Sequence, residues 1–418
     1  MNRRDLLRAG TASFLGALLA RYAGPLPAFA DGVAPATAAT PRAKSVILLW
    51  MNGGPSHLDT WDPKPGTATG GPFKAIRTGL TGLSVSEHMP KIAAVANKLT
   101  VLRMTSKEGN HQRAQYLMHT GYAPNPTLVH PALGGWMSKK LGAPSGGLPA
   151  FVSLGGPAYG ATGGFLGVQH GPFLVPTVGG IPDNAAPTVD AARFERRRAL
   201  LEAQDAAFSS EVAGGVVDDR RAVVDASVRL MRSPDLGAFD VSTETAAIRA
   251  AYGETAFGKG CLVARRLVER GVRFVEVVLD GWDTHKDNFT KVKSQLGIMD
   301  PAVAALLKDL GDRHLLSSTL VLWMGDFGRT PKINANDGRD HWPGAWTAVM
   351  AGGGAKPGVL GATDAEGAKC VGKAYTVPDL AATVAKLAGL DPNEEVMTPV
   401  GRPMAVTDSG TPIPEAMA

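Results

Sequence analysis

SVILLWMNGGPSHLDTWDPKP, residues 45–65, is the stretch whose reading decides the fold. Its apolar run, Val46–Met51, falls far short of the ~20 residues a membrane span needs and has the length of a fully buried strand. Asn52-Gly53-Gly54-Pro55 ends the run with a strong turn signal. Ser56, His57, Asp59, Thr60 and Asp62 follow at once. Open α/β sheets build sites this way, because ligands bind outside the carboxyl ends of their strands.

The same punctuation recurs along the chain. Leu99–Met104, Ala150–Leu154, Gly271–Leu279, Ser318–Met324 and Trp346–Met350 read as strands. Pro90–Asn97, a segment opening at His111, Pro131–Lys140 and Pro378–Ala388 read as helices. Asp300–Leu310 reads as a helix with Asp300 as its N-cap and Pro301 at its first position. Gly155–Pro187, rich in glycine and proline, reads as a loop placed to cover a site. Asp190–Ser210, Val216–Arg232, Thr243–Tyr252 and Glu254–Arg270 are charged and helical, a helical insertion around 188–270. The alternation predicts an α/β fold with a mostly parallel sheet and helices on both faces, in one large domain or two.

The start of the chain reads as an address rather than structure. Arg3-Arg4 opens a twin-arginine pattern, Ala12–Ala20 is an apolar run, and Ala28-Phe29-Ala30 fits a small-residue cleavage site. Residues 1–30 are therefore expected to be a signal peptide, and 31–42 a flexible lead-in. The expectation is a periplasmic or secreted protein with the twin-arginine (Tat) export machinery as a partner and no membrane contact after cleavage. That route carries folded proteins, often with a metal already bound. Four arginines and one aspartate of the leader, Arg3, Arg4, Arg8, Arg21 and Asp5, account for +3 of the formal charge of +5 and leave +2. A mature chain so nearly neutral gives no sign of nucleic-acid binding. The two cysteines, Cys261 and Cys370, suit an oxidising compartment, but nothing in the sequence brings them together.

Four segments that follow strands hold most of the ligand-type side chains. They carry Asn52, His57, Asp59 and Asp62; His111 and Arg113; Asp280, Asp283 and His285; and Asp326, Arg329, Asp340 and His341. Carboxylates and imidazoles are ligands for hard and borderline divalent cations, and thiolate is absent here. Each also has a plain structural role open to it. Asp59 and Asp62 suit turns or caps, His57 a satisfied loop, and His111 a helix cap. Asp283 and His285 suit a mutual hydrogen bond, and Arg329 an ion pair with an acid such as Asp326. Trp61, Trp282 and Trp342 suit packing.

Three long motifs in order then carry a resemblance: WMNGGPSHLDTWDPKPG, CLVARRLVERGVRFVEVVLDGWDTH, and GDFGRTPKIN followed by GRDHWPGAW. Together they resemble the domain-of-unknown-function 1501 family of exported bacterial proteins, which is itself similar to the alkaline phosphatase and sulfatase superfamily. The resemblance implies a mixed sheet sandwiched by helices in one domain over residues 43–410, and a divalent metal (zinc, calcium or manganese) beside a nucleophile. It implies metal ligands at Asn52, Asp326 and His341, with a looser echo in Asp280 to His285; His57, Asp59, Asp283 and His285 complete the ligand set read from the residues. HQRAQYLMHTG resembles the sulfatase nucleophile motif and sets His111 at the nucleophile position, as nucleophile or as ligand. Arg113 or Arg329 is then placed to stabilise an anionic transition state. The implied activity is hydrolysis of a phosphate or sulfate ester of an anionic small molecule or glycan. The alternative is a degenerate site that binds an anionic glycan or a protein partner without turnover.

Overall fold

The computed structural model describes residues 43–156, 158–211 and 216–418. The predicted leader and lead-in, residues 1–42, lie outside the described residues. The predicted opening strand forms as β1, Ser45–Met51, and is buried along its whole length. Seven further strands join it: β2 Leu99–Met104, β3 Phe151–Leu154, β4 Phe173–Val175, β5 Phe274–Leu279, β6 Thr319–Gly325, β7 Trp346–Ala351 and β8 Gly358–Leu360. Their order across the sheet is β8-β2-β7-β6-β1-β5-β3-β4. Only β7 runs antiparallel to its neighbours, β2 and β6. The sheet is thus mixed and mostly parallel.

Period-two alternation along β1 feeds two apolar layers. Ile47, Leu49 and Met51 enter one, with Ile92 of α1 (Pro90–Ala94), Leu262 of α7 (Ala256–Glu269) and Leu296 of α8 (Asn288–Asp312). Val46, Leu48 and Trp50 enter the other, with Met118 of α2 (His111–Thr120), Trp136 of α3 (Leu133–Leu141) and Leu380 of α9 (Val377–Leu387). Helices therefore cover both faces, which is why β1 and β6 read as near-continuous apolar runs. The remaining helices are α4 (Ala191–Glu211), α5 (Val216–Met231) and α6 (Ala246–Tyr252).

Register places the site. Met51 lies beside Leu279 of β5 and Gly325 of β6. The next residues, Asn52, Asp280 and Asp326, therefore open their three loops at one level of the sheet edge.

Three expectations are corrected. The helix read as Asp300–Leu310 is the second half of α8, and Pro301 lies inside it. Asp300 caps a different helix: its carboxylate accepts the Lys91 and Ile92 N–H groups at 3.1 and 2.7 Å, at the start of α1. The 155–187 stretch contains the edge strand β4, whose three residues are too few for periodicity to register. The 188–270 block divides: α7 lays an apolar face on the sheet as a core helix, while α4 is largely exposed, with Leu200 67% and Phe208 53% accessible. Cys261 and Cys370 are both free thiols. No helix among the described residues is long and apolar enough to cross a membrane.

Candidate metal centre

Three loops and one helix start meet above this sheet edge. Asn110 caps α2 by accepting the Arg113 N–H, which sets His111 as the first helical residue. The loop after β5 turns at Gly281, at φ 98°, and carries Trp282, Asp283 and His285. The loop after β6 doubles back as a short antiparallel ribbon that pairs Arg329 with His341. Trp282 and Trp61 are buried in the apolar layer with Ile47, as expected of them.

Asp283 is the hub. Its Oδ2 lies 3.5 Å from His111 Nε2, and its Oδ1 lies 3.3 Å from His341 Nε2 and 3.2 Å from His285 Nε2. One donor atom each from His111, Asp283 and His341 falls within 4.8 Å of the others. Each imidazole is held through its other nitrogen. His111 Nδ1 meets Asp326 Oδ2 at 2.5 Å, His285 Nδ1 meets Asp340 Oδ1 at 2.7 Å, and His341 Nδ1 donates to the Gly109 carbonyl at 2.8 Å. These partners accept, so the hydrogens sit on Nδ1 and the Nε2 lone pairs face the cluster.

The donor set fits a divalent cation. His111 Nε2 is a buried atom without a hydrogen-bond partner. His285 Nε2 and His341 Nε2 stand 2.9 Å apart, a repulsive approach of two lone pairs unless a proton or a cation lies between. Ligands ~2.0–2.1 Å from a zinc-sized ion in tetrahedral array stand about 3.3 Å apart, close to the Asp283 distances. Burial works to raise the Asp283 carboxyl, but hydrogen bonding and charge from Arg329, with His111 and His285, outweigh it and bring it to about 2. The Asp326 hydrogen bond raises the His111 pKa, whereas burial lowers that of His341.

Arg329 is fully buried and spends its donors on structure. It donates to the carbonyls of Gly53, Gly54, Trp282 and Arg339, and to Asp283 Oδ1 at 2.7 Å. It therefore fixes the two glycine carbonyls and the hub carboxylate, and the expected transition-state contact is not open to it. Arg113 is likewise corrected: its half-exposed guanidinium turns away to Glu108, at 2.7 Å.

Other predicted ligands do not reach the cluster. His57 is buried, its Nε2 2.8 Å from the Gly367 carbonyl, and burial lowers its pKa. Asp59 forms a fully buried ion pair with Arg339 at 2.7 Å and accepts from Asn288. Asp62 pairs with Arg103 and Lys64. The polar residues after the first turn were read as ligands because spacing does not reveal which of them fold inward as supports. Asn52 and Asp326 do stand beside the cluster, but their oxygens accept hydrogen bonds from protein donors. Sequence reasoning missed Gln115, which touches both; its signal was its place four residues after His111, on the same helix face.

The fold and this cluster define an α/β protein with a candidate divalent-metal centre at the carboxyl edge of its sheet. The chain belongs to the DUF1501 family, described as "Protein of unknown function (DUF1501)", which matches residues 43–417. No curated protein matches the sequence. Among solved structures it is similar to the lipoteichoic acid synthase LtaP from Listeria monocytogenes, at 10% identity and TM-score 0.37, covering 84% of this chain and 74% of that one. It is also similar to the PsFucS1 sulfatase from Pseudoalteromonas sp., at 16% identity and TM-score 0.39, covering 84% and 68%. A third likeness is the alkaline phosphatase from the Antarctic bacterium TAB5, at 12% identity and TM-score 0.34, covering 83% and 98%. Likenesses this distant carry no argument about activity.

Proposed function

We propose that this protein is a metal-dependent hydrolase of phosphate or sulfate esters, exported by the twin-arginine route to the periplasm. The observation that carries the reading is the convergence of three imidazole Nε2 atoms on the Asp283 carboxylate, each ring held through Nδ1 by an acceptor. His111, Asp283 and His341 would hold the cation, with His285 beside His341 and Asp283. Imidazole nitrogens beside one carboxylate favour zinc over calcium, which takes oxygen ligands. Once bound, the cation supplies Lewis acidity toward the ester oxygens.

The chain's own groups do the rest. Asp326 and Asp340 hold the hydrogens of His111 and His285 on Nδ1 and keep Nε2 basic. The α2 N-terminus brings its positive dipole end to the same edge, which suits an anionic ester. Arg329 keeps Asp283 ionised and aimed. Substrates are expected to be small anionic esters or sulfated or phosphorylated glycans.

Chelated protein should regain hydrolysis of an aryl phosphate or aryl sulfate when zinc, manganese or calcium is returned, and His341→Ala should abolish it. Absence of turnover with every metal, or full turnover in His341→Ala, contradicts the reading. One observation favours the alternative of a binding protein without turnover: the Phe327 ring packs 5.0 Å from His111 and 4.5 Å from His341, an apolar wall on the cluster. Metal-dependent glycan binding with no hydrolysis would decide for it.

A further inference from the structure

Asn52 and Asp326 open adjacent loops at one level of the sheet edge, and both were expected to ligate a cation. Their side-chain oxygens converge on a single point. That point holds the Gln115 amide nitrogen, 2.9 Å from Asn52 Oδ1 and 3.1 Å from Asp326 Oδ2. The orientation of both amides is fixed by carboxylates, which only accept. Asp280 Oδ1 takes the Asn52 amide N–H at 2.6 Å, so Asn52 Oδ1 must face Gln115. Asp326 Oδ2 takes His111 Nδ1 as well, so the Gln115 group facing it must be the N–H₂ end. Asp326 Oδ1 faces the Gly53 N–H at 3.3 Å. A continuous run of hydrogen bonds thus joins Asp280, Asn52, Gln115, Asp326 and His111.

We infer that Gln115 is a positioning residue that plugs a second cation place and restricts the centre to one metal ion. Its amide supplies neutral donors where a cation would have to meet the Asn52 and Asp326 oxygens. Asp326 is thereby freed from ligation and held as the acceptor that orients His111. The buried Arg329 guanidinium, paired with Asp283, already supplies one fixed positive charge at this edge, so a second divalent ion would meet repulsion as well as a blocked place. The inference rests on the metal-centre reading above, but it fails separately from it.

The test is metal stoichiometry in the full chain, dialysed against zinc and measured by elemental analysis. Gln115→Glu keeps the shape and replaces the donor amide with an acceptor carboxylate. Wild type is expected to bind one zinc per chain and Gln115→Glu two. Gln115→Ala, which removes the donor, is expected to gain a second, weaker ion at zinc about 100-fold above the first-site Kd. Circular dichroism and thermal unfolding establish that each variant is folded. Two zincs in wild type, or wild-type stoichiometry in both folded variants, overturns the inference. A wild-type count of two overturns the inference even if neither variant folds. A wild type that binds no zinc sinks the hydrolase reading, yet a Gln115→Glu chain that then gains one ion still upholds the plug.

Discussion

At the residue scale the centre depends on second partners as much as on ligands. Asp326 is wholly buried and touches His111 at 2.5 Å. Asp326→Asn should leave the ligand count unchanged and weaken zinc binding about 10–100-fold, read by competition with a chelating dye. Unaltered affinity would deny Asp326 its orienting role. Asp59 has a different part. Its ion pair with Arg339 is inaccessible on both sides, and removing one member of such a pair costs about 3–5 kcal/mol. Asp59→Ala should lose that much stability in urea denaturation of the metal-free protein. If it instead lost only zinc affinity, Asp59 would be a ligand after all. The same contrast shows what was legible. His111, Asp283, His285 and His341 could be picked out because each follows a strand or starts a helix. Asp59 and His57 have the same residue types at the same kind of place, and only the distant partners Arg339 and Gly367 reveal them as supports.

At the element scale helix α2 must keep its rotation, since His111, Gln115 and His119 all turn to the sheet. His119 pins it: its Nε2 lies 2.8 Å from Glu276 of β5, with both side chains buried, and its Nδ1 meets the Gln115 carbonyl at 2.7 Å. Burial alone lowers the His119 pKa, but the Glu276 charge and hydrogen bonds outweigh it and the folded value is raised. This stabilisation is complete below the unfolded value of ~6.5 and is lost as pH rises through the higher folded value. The urea midpoint of wild type should therefore fall between about pH 6 and pH 9, and Glu276→Gln should flatten that dependence. A profile identical in the two proteins would show that the pair does not titrate with folding.

A second element-scale expectation concerns the turn after β1. Gly53 has φ 110°, and a Cβ there would sit 2.5 Å from the Asp283 backbone nitrogen. Gly53→Ala should cost more than ~1 kcal/mol and disturb Asp283, with zinc affinity falling together with stability in calorimetry. Wild-type behaviour in both would mean the turn does not set the hub. Strands β1 and β6 were readable because helices on both faces demand long apolar runs, and β5 was readable despite Glu276 in its middle. The three-residue β4 was not, and α8 was misread because Pro301 looks like a helix start. Asp300 gave a true capping signal, but for α1 rather than for its own helix.

At the scale of the whole molecule the account is one of register. Three parallel strands end level, so residues separated by more than two hundred positions meet at one edge. No local pattern contains that fact, which is why the four ligand-bearing segments were visible in the sequence and their partition into ligands, orienters and supports was not. The most direct test is the metal content of the full chain, produced with its native leader and purified without chelators. The account predicts stoichiometric zinc or another transition metal in wild type and its loss in the His285→Ala, His341→Ala double variant. A metal-free wild type that also takes up no zinc on titration, or a double variant that keeps its metal, would contradict the account.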